Sequence, residues 1–154
     1  MKQEPKQIIP RWYWGVVGMA LVWNLFGCVA FLMEMFAQED MMLEWTETQK
    51  EWARSIPGWI YLIYAISVLA GLGGSVGLLL RKQWAAFWFG FSLGGVLVQM
   101  GYTLIIAGGL QVMGVSGLIM PAIIILLAGS LLVVSCCVKS RDWYTTVSLA
   151  GEDR

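Results

Sequence analysis

The sequence predicts an all-α membrane protein: four transmembrane helices in an antiparallel bundle, with a short interfacial helix between the first and the second. Three observations predict it. Of 154 residues, 58% are hydrophobic and only 13% charged, against about 25% charged in a soluble domain. The apolar residues lie in uncharged runs rather than at amphipathic spacing. The runs also have the right length, because a helix needs about 20 apolar residues, at 1.5 Å each, to cross roughly 30 Å of hydrocarbon.

Trp12 to Met33 is 22 residues without a charge, Pro57 to Leu80 is 24, and Gln83 to Val138 is 56. The first two runs fit one crossing each. The third fits two crossings and a turn. Gly108, Gly109, Gln111, Gly114, Ser116 and Gly117 weaken a helix there, and Pro121 suits the first turn of a new one. The chain therefore reads as one transmembrane domain, 1–154, with spans near 12–36, 57–80, 84–108 and 118–138.

Lys2, Lys6 and Arg11 before an apolar run resemble the start of a signal peptide, and Leu25-Phe26-Gly27-Cys28 resembles a lipoprotein cleavage box. Phe26 is too bulky for that box, the apolar run continues past Cys28, and no small-x-small site closes it. The first run is expected to be a retained span.

Basic residues near span ends set orientation. Eight lie at the amino end, the second loop or the carboxyl end: Lys2, Lys6, Arg11, Arg81, Lys82, Lys139, Arg141 and Arg154. Only Lys50 and Arg54 lie in the first loop, and the third loop has no charge. Both termini are expected to be cytoplasmic. Aromatic anchors at Trp12, Tyr13, Trp14, Trp59, Trp84, Trp143 and Tyr144 fit the same borders.

The segment 39–56 is the longest polar stretch. Met41, Trp45, Trp52 and Ile56 fall at roughly helical spacing, while Glu44, Glu47, Lys50, Glu51 and Arg54 take the other faces. This reads as an interfacial helix, with Glu47–Lys50 and Glu51–Arg54 as surface pairs. It is either a lid on the bundle or an acidic face that collects cations or a partner.

Lipid gives helices no hydrophobic reason to associate, so small and polar residues do that work. Gly73 and Gly77 in the second span, and Gly90 and Gly94 in the third, are the expected packing positions. Asn24 and Gln99 lie near the middle of the first and third spans. A buried amide without a partner is costly, so the two are expected to pair. Asn24 and Glu34 share one helical face, Gln99 and Tyr102 another. Together they outline a candidate polar pocket open to the outer side. The plainer alternative is an interhelical hydrogen bond and a carboxylate at the membrane border.

Several function classes lose support. The chain has no histidine, which removes His-based metal sites and the commonest general base. Its three cysteines, Cys28, Cys136 and Cys137, form no C-x-x-C pair and read as packing residues. Net charge is zero with no basic block, so nucleic-acid binding has no footprint. No enzyme activity, catalytic residue, metal or cofactor is expected. The expected partners are the lipid bilayer, and a homo-oligomer or another membrane protein.

Five words occur in order: Trp23-Asn24-Leu25-Phe26-Gly27, Pro57-Gly58-Trp59, Leu80-Arg81-Lys82-Gln83-Trp84-Ala85, Gln99-Met100-Gly101-Tyr102 and Gly114-Val115-Ser116-Gly117-Leu118-Ile119-Met120-Pro121. Across about residues 12–144 the chain resembles a family of small, functionally uncharacterised four-span proteins of the bacterial inner membrane. Some of these carry a sugar-transporter label. The resemblance implies the four-span fold and that membrane, and no catalytic residue. Val115 departs from it, where the family tends to have proline. Two functions are in view: a non-catalytic assembly or accessory protein, or a homo-oligomeric transporter of a neutral, sugar-like solute.

Overall fold

The computed structural model describes residues 10–140. Lys2, Lys6, Arg141, Arg154, Trp143 and Tyr144 lie outside them. Four long apolar helices dominate: α1 (Arg11–Phe36), α4 (Gly58–Leu79), α5 (Ala85–Gly101) and α7 (Ile119–Ser140). A π-helical turn, Tyr102–Ile106, extends α5. All four are long and apolar enough to cross a bilayer, so this is a multi-pass membrane protein folded as an all-α bundle. Residues 10 and 140 share one end, called here the terminal end; the opposite end is the loop end.

The expected interfacial helix forms as two pieces, α2 (Gln38–Met41) and α3 (Glu47–Ser55). The break falls where Thr46 starts a new helix. Its hydroxyl accepts from the Gln49 N–H (3.3 Å), and the Gln49 side chain accepts from the Thr46 N–H (2.9 Å). This reciprocal capping box satisfies two end groups that would otherwise lack partners. Between α5 and α7, Gly108 and Gly114 adopt φ of 73° and 67°. They bracket the short helix α6 (Gly109–Met113), and a 3₁₀ turn, Val115–Leu118, leads into α7.

Packing runs in chain order, α1 on α4, α4 on α5, α5 on α7. Helix α4 is central, and its buried stripe is mostly small: Ser67, Ala70, Gly71, Gly74, Ser75 and Gly77. Each notch receives a named group. A Cβ at Gly77 would lie 2.8 Å from the Trp84 ring and 2.9 Å from Ala85 Cβ; one at Gly74 would lie 3.0 Å from the Phe89 ring. On α5, Gly95 makes room for the Ser67 hydroxyl. The expected packing glycines are thus only partly the observed ones. Gly77 is tightly packed, Gly73 and Gly90 make ordinary contacts with Trp88 and Leu132, and Gly94 faces open space. The tight notches of α4, at Gly71, Gly74 and Gly77, are spaced three apart, so of the expected Gly73–Gly77 pair only Gly77 lies on the close face.

At the terminal end all four long helices close on one cluster: Tyr13, Val17, Leu78, Ala85, Phe89 and Val138. The Tyr13 hydroxyl donates to the Leu78 carbonyl at 2.6 Å. That carbonyl lies in the last turn of α4, where no intrahelical N–H remains. The α4–α5 turn is a Schellman motif: the Lys82 N–H donates to the Gly77 carbonyl (2.8 Å) and the Arg81 N–H to the Leu78 carbonyl (3.0 Å). Arg81 takes the left-handed position, with φ 55°, usually held by glycine.

Candidate functional site: an intramembrane cleft

Helices α1 and α7 touch little outside the terminal cluster, and the packing runs through α4 and α5 instead. The consequence is a cleft of about 470 Å³ lined by all four long helices. Phe89 and Leu131 belong both to its wall and to the terminal-end packing, so the cleft is blind at that end. It extends toward the loop end, where Glu34, Gln99, Met100, Met120 and Pro121 line it. Helix α7 contributes only apolar side chains. The polar groups come from the other three helices: Asn24 and Glu34, Tyr64 and Ser67, Ser92 and Gln99.

Three of the four residues expected to share a pocket therefore do. Asn24, Glu34 and Gln99 line the cleft; Tyr102 does not. Tyr102 lies seven residues beyond Gly95, on the face of α5 that packs against α4. Its ring meets Trp59 edge to face, with centroids 4.9 Å apart. The expected pairing of Asn24 with Gln99 also fails. The Asn24 amide donates to the Ala20 carbonyl (2.9 Å) and to Ser75 Oγ (3.0 Å). Its partner helix is α4, because Gly71 opens the notch that seats Asn24 Oδ1.

Sequence reasoning did not single out Tyr64, Ser67 or Ser92. Ser67 donates to the Ile63 carbonyl at 2.7 Å, and Ser92 donates across helices to the Ser67 carbonyl at 2.7 Å. Serines within apolar runs were the available signal, since each must place its hydroxyl on a backbone carbonyl. Both N–H groups of Asn24 and the hydroxyl protons of Ser67 and Ser92 are thus spent within the protein. Of their oxygens, Asn24 Oδ1 and Ser67 Oγ are seated in the Gly71 and Gly95 notches between helices. Among the described residues, Glu34, half-buried, is the only carboxylate lining the cleft, and no Lys or Arg joins it there. The ion pairs among the described residues, Lys50–Glu47 (2.9 Å) and Arg54–Glu39 (3.5 Å), both lie in the first loop.

In that loop the expected Glu47–Lys50 pair forms, but Arg54 reaches Glu39 instead of Glu51. The hydrogen bond and charge of Lys50 hold the exposed Glu47 carboxyl below its usual range. Whatever the pair adds is present above the ordinary carboxylate pKa and is lost as pH falls through the lowered one; at an exposed site that is little. Helix α3 docks on α6, with the Trp52 ring filling the space over Gly109. The Trp52 indole N–H is buried there without an acceptor. Cys136 and Cys137, expected as packing residues, lie on the exposed side of α7.

Among the described residues, no group of three His, Cys, Asp or Glu converges on a point. Comparison with protein-family models, curated proteins and solved structures finds no match for the chain.

Proposed function

We propose that this is a non-catalytic membrane protein that works by holding an occupant in the cleft between α1 and α7, as an accessory or interaction subunit. One observation carries the reading: the cleft is built by all four helices yet is blind at the terminal end. A blind, mostly apolar cavity of about 470 Å³ is of ligand-binding size. It offers no continuous path across a single bundle. The basic residues favour a cytoplasmic terminal end, and the family resemblance favours a bacterial inner membrane. The cleft then opens toward the outer leaflet.

Native mass spectrometry from nanodiscs tests this reading. The wild type is expected to carry a bound amphiphile or a partner subunit. Ala128→Trp, which fills the cleft wall, should release it. Identical occupancy in both proteins would overturn the reading. A second reading, transport of a neutral polar solute by a homo-oligomer, is favoured by Asn24, Gln99 and Ser92 together in one cavity. It requires a path completed by a second copy, and a homodimer in the same spectra would bring it forward.

A further inference from the structure

We infer that the cleft selects a monovalent organic cation: a lipophilic ammonium whose charged end meets Glu34 and whose apolar body lies against α7. The inference rests on the reading of the cleft as a binding site.

Charge is the first observation. Glu34 is half-buried on the cleft wall, and among the described residues no basic side chain lines the cavity and the ion pairs involve other carboxylates. A carboxylate facing a low-dielectric cavity without a counter-charge is electrostatically incomplete, and a ligand cation completes it.

Hydrogen bonding is the second observation. The donors of Asn24, Ser67 and Ser92 are consumed by Ala20, Ser75, Ile63 and Ser67 acceptors, and the Asn24 and Ser67 side-chain oxygens are seated in the Gly71 and Gly95 notches between helices. The polar groups left to a ligand are the Glu34 carboxylate, the Gln99 amide and the Tyr64 hydroxyl. The carboxylate and the two neutral oxygens can accept from an alkylammonium, which is donor-only. Aromatic faces at Trp23 and Tyr64 also line the cleft, and such faces attract cations.

Shape is the third. The α7 side presents Ile124, Ala128 and Leu131, which matches a compact hydrocarbon body and leaves a polyol's hydroxyl groups unsatisfied.

The test uses three ligands with one hydrocarbon cage: 1-adamantylammonium, 1-adamantanol and 1-adamantanecarboxylate. Binding to the full-length protein in nanodiscs is measured by calorimetry at neutral pH, with empty nanodiscs subtracted. The ammonium is expected to bind at least tenfold more tightly than the alcohol, and the carboxylate not at all. Glu34→Gln should remove that tenfold preference while leaving the alcohol unchanged. Glu44→Gln, an equal charge loss on the exposed first loop, should leave it intact. Unchanged binding of the alcohol also shows that Glu34→Gln is folded; if that variant does not fold, Glu34→Asp should preserve the preference for the ammonium over the alcohol.

Equal affinity for the ammonium and the alcohol, or retention of the preference in Glu34→Gln, would overturn the inference. So would no ammonium binding at all. If both neutral and charged cages bind and Ala128→Trp abolishes both, the cleft remains a binding site and only its charge selectivity is refuted. If Ala128→Trp changes neither, the cleft reading itself falls.

Discussion

At the scale of single residues, the helix contacts depend on glycines and small side chains as much as on the large side chains of the terminal cluster. Gly71 is the clearest case, since a Cβ there would overlap Asn24 Oδ1 and stand 3.0 Å from Ser92 Oγ. Gly71→Ala should therefore destabilise the bundle by about 1–3 kcal/mol, the usual range for overpacking. Gly94→Ala, with nothing within 4 Å, should stay within about 0.5 kcal/mol of wild type. Reversible unfolding in mixed micelles measures both. Asn24 makes a second prediction. Its bond to Ser75 should give a double-mutant coupling of about 0.6 kcal/mol, the average for interhelical hydrogen bonds in membranes, and not above about 1.7 kcal/mol. The Asn24–Gln99 cycle should give a coupling near zero, because those side chains do not bond. A large Asn24–Gln99 term would contradict the geometry described above.

At the scale of elements, the turns carry strain of opposite consequence. Arg81 holds a left-handed conformation that disfavours a Cβ, while Gly108 holds one without a Cβ. Arg81→Gly should stabilise the α4–α5 turn and Gly108→Ala should destabilise the α5–α6 turn, each by about 1 kcal/mol. Thermal unfolding in detergent checks the signs. Like signs would mean that side-chain contacts, not backbone strain, govern these turns. Thr46 and Gln49 form the Thr-x-x-Gln pattern of a capping box, but the sequence predicts one helix running through it, because the helical spacing of Met41, Trp45 and Trp52 continues straight across the break between α2 and α3.

At the scale of the whole molecule, α4 is a spine with α1 on one side and α5 on the other, and α7 packs chiefly on α5. That order leaves a gap between the first and last long helices, closed only at the terminal end by the cluster around Tyr13 and Phe89. Both termini should lie on the cytoplasmic side. Paired reporter fusions test this: a cytoplasm-active reporter should work after residue 154 and fail within the first loop near Glu44. The reverse pattern would invert the molecule and turn the cleft toward the cytoplasm.

The sequence by itself determined the number of long helices, their approximate limits and the class of protein, because crossing hydrocarbon demands about 20 uncharged residues and leaves no alternative use for such runs. It also marked Asn24, Glu34 and Gln99 as polar groups in an apolar setting. Only the tertiary structure decided which faces meet. In a soluble helix the apolar stripe reveals the buried side; in these spans every side is apolar, so the pattern that encodes a face is missing. Which glycine is a notch, which amide meets which serine, and that Tyr102 belongs to the α4–α5 seam instead of the cleft all depend on helix rotation. Rotation is set by the fit of one side chain into one gap.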